Sequence, residues 1–205
     1  PSFHVSIYST PTLSDYPLFV LLGVACGVIG LLFNRYLLKG VDTVKTRFGK
    51  WTWQKGAIAG FAVGMVACVL PSALGGGQAT AESIITGSIN SIRPDWMFGW
   101  SVGTFLLVLL CVKLLLTIIC YSSGVPGGIF APMLVLGALT GGEMAVICQR
   151  LVGTGIHSDA FAVVGMAAIF AAVVRAPLTG SILILEMTGS YPLLFAFLLS
   201  SMVAY

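Results

Sequence analysis

Long apolar runs, each closed by a cluster of glycine, proline or serine, follow one another along almost the whole chain. Pro17 to Phe33 is uncharged and predicts a helix that continues through Arg35 and Lys39. Gly56 to Leu70 predicts a second, ended by Pro71 and followed by Gly75-Gly76-Gly77. Ala79 to Ile89 is too short to cross a bilayer, so a segment that enters only part way is expected there. Ile92-Arg93-Pro94-Asp95 reads as a polar turn, with Trp96 and Trp100 suited to a membrane interface. Phe98 to Cys120 is a full span interrupted only by Lys113. Further helices are predicted over about Ile129 to Leu151, Ala160 to Val174, Leu178 to Thr188 and Tyr191 to Tyr205. No strand alternation competes, so the fold class is all-α and polytopic, built from broken helices.

The longest uncharged run, Leu114 to Gly142, contains its own interruption. Ser122-Ser123-Gly124-Val125-Pro126-Gly127-Gly128 cannot continue as ordinary helix, whereas IFAPMLVLGALTGG from Ile129 onward is helical again. Pro132 fits a first helical turn, where its missing N–H leaves no gap in the ladder. A helix is therefore expected to restart at membrane depth, where irregular backbone is tolerated only if buried or lining a wet cavity. Free amides and roughly half a positive charge at such an end would attract an anion. A kink between two packed helices, with no ligand, is the competing reading of the same residues.

Composition and charge narrow the class. Hydrophobic residues make up 58% and charged residues 8%, far below the quarter typical of soluble domains; mean hydropathy is +1.02. Six of the ten basic residues lie among Arg35, Lys39, Lys45, Arg47, Lys50 and Lys55, which places the loop 35–55 in the cytoplasm and residues 1–16 outside. The net charge of +3 is small and local and gives no reason to expect nucleic acid. Cys26, Cys68, Cys111, Cys120 and Cys148 all sit in apolar segments without a CxxC pair and are expected to be buried small hydrophobes. His4 and His157 are isolated, so neither a metal nor a cofactor is expected. HExxH and GK[ST] patterns do not occur, which argues against an enzyme. A start at Pro1 without an initiator methionine and an end at Tyr205 within an apolar run suggest a piece of a longer protein.

SSGVPGGIFAP resembles the anion-site motif of the CLC family of chloride channels and chloride/proton exchangers. PLFVLLGVACGVIGLLFNRYL, SALGGG and VVRAPLTGSILILEMT also resemble CLC segments and occur in CLC order, bacterial members being the most similar. The resemblance covers nearly everything from residue 17 onward. It implies that 17–205 is the C-terminal half of a CLC membrane domain, the second inverted repeat, roughly helices J to Q in the family's lettering. It further implies chloride held by the backbone amides of Ile129 and Phe130, in a loop shaped by Gly127, Gly128 and Pro132. A homodimer in the bacterial inner membrane, protons as a coupled ion, and dependence on a first repeat are implied as well. The first repeat's GSGIP-like serine and GREGP glutamate have no counterpart here; Ser122-Ser123-Gly124-Val125-Pro126 stands in the wrong place for the former. Exchanger and passive channel therefore both remain open, and a purely structural membrane subunit is the remoter alternative.

Glu82, Glu143 and Glu186 lie within apolar stretches, where an acid is a functional candidate by default. None matches a family proton-path position, so structural or interfacial roles are expected. Lys113 and Arg175 are expected to stabilise helix ends or to reach lipid headgroups. The topology has a direct check. Single cysteines introduced at Lys45 and Thr10 should label from opposite sides of the membrane, with position 45 cytoplasmic; labelling from one side would contradict it.

Overall fold

The computed structural model describes residues 15–48, 52–97, 99–124, 127–152 and 158–205, and among them there is no strand. Eight α-helices run in order: α1 (Tyr16–Phe48), α2 (Thr52–Val69), α3 (Gln78–Ile85), α4 (Val102–Ser122), α5 (Phe130–Val152), α6 (Ser158–Val174), α7 (Pro177–Thr188) and α8 (Leu194–Ala204). Short 3-10 turns at Pro71–Ala73, Ile89–Ile92, Asp95–Met97 and Tyr191–Leu193 fill several of the joins. The expected all-α, broken-helix architecture is what the chain adopts. Residues 1–14, most of the expected outer loop, lie outside the described residues.

Helix α6 is the hub. It is apolar all round, and every residue from Ala160 to Ala172 is buried, as such a helix requires. Around it stand α5, α1, α8, α7 and α3. Helix α4 packs against α5 and α1, while α2 stays peripheral. Phe19, Leu22, Cys26, Phe33 and Leu37 of α1 turn inward at helical spacing, and Val24, Val28, Leu31, Leu32 and Leu38 turn outward. Among the described residues three helices are long and apolar enough to cross a membrane: Tyr16–Arg47, Val102–Ser122 and Phe130–Leu151.

Close packing uses the glycines the sequence offers, though not all of them. A Cβ at Gly137 would lie 2.5 Å from the Gly165 carbonyl, and one at Gly141 would strike that of Phe161, so α5 and α6 touch backbone to backbone. The α1 glycines also pack: Gly23 sits 2.7 Å from Ser200 O and Gly30 2.5 Å from the Ala172 methyl, measured from a Cβ built on each. The Gly56/Gly60/Gly64 stripe of α2 has the same spacing without such contacts. Gly60 and Gly64 have no atom within 4 Å of an added Cβ, and α2 makes only light contact with α4 and α1. Small residues permit close approach but cannot supply a partner.

Two further expectations need correcting. The basic stretch 35–55 is largely helical, not loop: α1 runs to Phe48 and α2 starts at Thr52. Lysine and arginine are good helix formers, and Lys45 and Arg47 in the last turn of α1 meet its negative dipole end. Of the cysteines only Cys26 and Cys148 are buried; Cys68, Cys111 and Cys120 are exposed on α2 and α4. An outward apolar helix face accepts a thiol as readily as a core does.

Gly141→Ala should lower the thermal midpoint of the detergent-solubilised protein by an amount equivalent to about 1–3 kcal/mol of overpacking. Gly64→Ala, with open space around it, should leave the midpoint unchanged or raise it slightly. Equal effects at both positions would contradict the α5–α6 contact.

Candidate functional site

The chain leaves the helical pattern where glycine and proline predicted, and the two principal breaks meet. At the first, Pro71–Ala73 forms a 3-10 turn, and Gly75 and Gly77 take φ of 63° and 76°, the left-handed region that suits glycine. At the second, the Ser123 amide donates to Ile119 O at 3.1 Å and closes α4, and Gly124 follows with φ 77°. Val125 and Pro126 lie outside the described residues; α5 then starts at Phe130. A Cβ on Gly76 would lie 3.3 Å from the Ala131 methyl, and one on Gly77 2.8 Å from Val135. The glycines therefore let the first break rest directly on the opening turn of α5.

The first intrahelical bond of α5 runs from the Met133 amide to Ile129 O at 3.2 Å. Ile129 is thus the N-cap, and the amides of Ile129, Phe130 and Ala131 precede the ladder. Pro132 has no N–H to leave unpaired, so the sequence limits this end to three donors. The two residues expected at the site face different ways. The Phe130 ring packs edge-on against Phe170 at 5.9 Å. Ile129, Gly127, Gly128 and Pro132 instead line a cavity of about 390 Å³, enclosed by α2, the Ala73–Gly75 segment and α4. What Ile129 and Phe130 share is backbone.

Lys113 is the residue whose part sequence reasoning left open. Its side chain is 3% exposed, so it does not snorkel. Its ammonium donates to Ala73 O at 2.9 Å, Gly75 O at 2.7 Å and Leu74 O at 3.4 Å. These are carbonyls released where α2 and its 3-10 turn end, forty residues earlier in the chain. Stabilising a helix end is therefore the correct half of the expectation. A lone cation in an apolar span, with a Pro-Ser-Ala-Leu-Gly-Gly-Gly break elsewhere, was the available signal.

The other charged candidates stay away from the cavity. Glu82 and Glu186 are exposed. The Glu143 carboxylate lies beside Gly103, 3.2 Å from a Cβ built there, with Oε2 buried and unpartnered. Arg175 is exposed at the α6–α7 join and adopts φ 59°, an unusual value for a side-chain-bearing residue. There the Asn34 amide reaches from α1 to Val173 O at 3.1 Å. Trp96 and Trp100 are both exposed and meet edge-on at 6.5 Å. Among the described residues no three His, Cys, Asp or Glu side chains group as metal ligands.

Lys113→Met should leave three carbonyls without a donor and cost on the order of 1–3 kcal/mol. Thermal unfolding in detergent checks this, with Lys113→Arg expected to recover part of the loss. A midpoint unmoved by Lys113→Met would show that the lysine does not hold the first break.

Against known proteins, residues 1–205 match the family described as voltage gated chloride channel. The H(+)/Cl(-) exchange transporter ClcA of Yersinia pestis is 35% identical over 97% of this chain and 41% of its own length. The ClcA of Vibrio cholerae is 36% identical over 96% of this chain and 40% of its own. The chain thus spans about two fifths of these relatives. A crystal structure of a slow cyanobacterial Cl-/H+ antiporter superposes with a TM-score of 0.73 at 30% identity, over 98% of this chain and 45% of that one.

Proposed function

The chain belongs to the voltage gated chloride channel family, and from that premise we propose that it serves chloride/proton antiport across a bacterial inner membrane. Chloride is held by the amides of Ile129 and Phe130, with Gly127, Gly128 and Pro132 shaping the approach. The observation that carries this is the start of α5. Its first turn presents amides without intrahelical acceptors next to a cavity, and the segment supplying them is the one most similar to the family's anion motif. Amides and a helix dipole attract chloride without the full charge that would trap it, and turnover needs that moderation.

Antiport is favoured over passive conduction because both ClcA relatives are named as H(+)/Cl(-) exchange transporters. They are also more than twice as long as the stretch matched here, which supports a first repeat that supplies the remaining ligands. Leu178, Ile182, Phe195 and Met202 are strongly exposed on α7 and α8. That apolar face suits the expected homodimer contact, and the outward faces of α1 and α2 suit lipid.

Full-length protein in liposomes, followed by chloride-sensitive fluorescence and pH together, tests the assignment. Antiport predicts that a chloride gradient drives protons in the same vesicles; chloride movement without a pH change would identify a channel, and neither would remove transport. For the site, Phe130→Pro deletes one amide hydrogen and should weaken chloride binding roughly tenfold or more, the worth of one hydrogen bond to a charged group. Phe130→Ala keeps the amide and should change affinity less. Unchanged calorimetric affinity in both folded variants would remove Ile129 and Phe130 from the site.

A further inference from the structure

The cavity in front of Ile129 has a mixed lining. Ala59, Val63, Leu74 and Leu116 are apolar. Lys113 is the only charged side chain among its described lining residues. The ammonium is buried, and its three recorded partners are neutral carbonyls. Its charge is thus hydrogen-bonded but not neutralised, and at low dielectric an unneutralised cation favours an anion strongly. A neutral hydrocarbon would leave the charge unanswered, and a small anion would leave the apolar lining without a partner. An amphipathic anion meets both.

We propose that this cavity binds a single-chain fatty carboxylate. Its head group lies beside Lys113 and the Gly127–Gly128 backbone, and its chain runs along Ala59, Val63, Leu74 and Leu116. About 390 Å³ is within the range of small-molecule sites. The 3.4 Å bond from Lys113 to Leu74 O is the longest of the three and the one a carboxylate oxygen replaces most readily. The binding needs only the cavity and its charge and stands apart from the transport reading, although a bound acid would crowd any anion at Ile129.

Cys120 lines the cavity and is exposed, which supplies the readout. Full-length protein carrying Cys68→Ser and Cys111→Ser is placed in phosphatidylcholine nanodiscs, and the rate of maleimide addition to Cys120 is followed by peptide mass spectrometry. Decanoate at about four times its half-effect concentration should slow that rate about fivefold by simple occupancy, while decanol should not. Lys113→Gln should abolish the protection. Gly60→Trp should abolish it too, by filling the cavity from a position with no atom within 4 Å; if Lys113→Gln fails to fold, this variant decides. Absence of protection by decanoate would overturn the proposal. So would equal protection by decanol, protection by phosphatidylglycerol in the disc, or protection that survives Gly60→Trp. Loss of chloride flux in any variant bears on transport and leaves this readout untouched.

Discussion

A backbone that stops being helical in apolar surroundings exposes carbonyls at the end it leaves and amides at the end it begins. Neither can turn to water there, and an unpaired group costs several kcal/mol in hydrocarbon. The structure answers this constraint at each break. Lys113 gathers three carbonyls from the 73–75 segment. Asn34 reaches across from α1 to a carbonyl at the end of α6. Pro132 removes one donor from the first turn of α5 outright. The amides of Ile129, Phe130 and Ala131 remain, beside a cavity, as the natural place for an anion.

This arrangement holds because the helices behind it are fixed. Backbone contact between α5 and α6 at Gly137, Gly141 and Gly165 leaves no slack for α5 to rotate. The Phe130 ring against Phe170 pins the first turn to the same hub. With α5 held, Gly76 and Gly77 can press the first break onto Ala131 and Val135. Displacement of any one contact would move the amides, so the packing of a fully apolar helix, α6, bears on the geometry of a polar site with which it shares no donor.

Much of this was legible in the sequence, because helix ends in a membrane protein are written in local chemistry. Gly75–Gly77, Gly127–Gly128 and Pro177 mark breaks within a residue or two of where they fall. GGIFAP located the candidate amides. Partners remote in sequence were not legible. Lys113 could have faced lipid as easily as the Ala73–Gly75 carbonyls, since nothing near it in the chain names its acceptors. The α2 glycines read like those of α5, yet only α5 has a neighbour at contact distance. The opposite directions of Ile129 and Phe130 follow from the tertiary position of Phe170, forty residues beyond Phe130. The resemblance carried the proposed identity of the anion; composition and periodicity carried no more than its proposed charge.

Crystals of the full-length protein grown in bromide would test the central claim most directly, because bromide substitutes for chloride and scatters anomalously. The account predicts an anomalous peak within hydrogen-bonding reach of the Ile129 and Phe130 amides, somewhat longer than an N–H···O bond because the anion is larger. A peak lying elsewhere, with none at those amides, would contradict it.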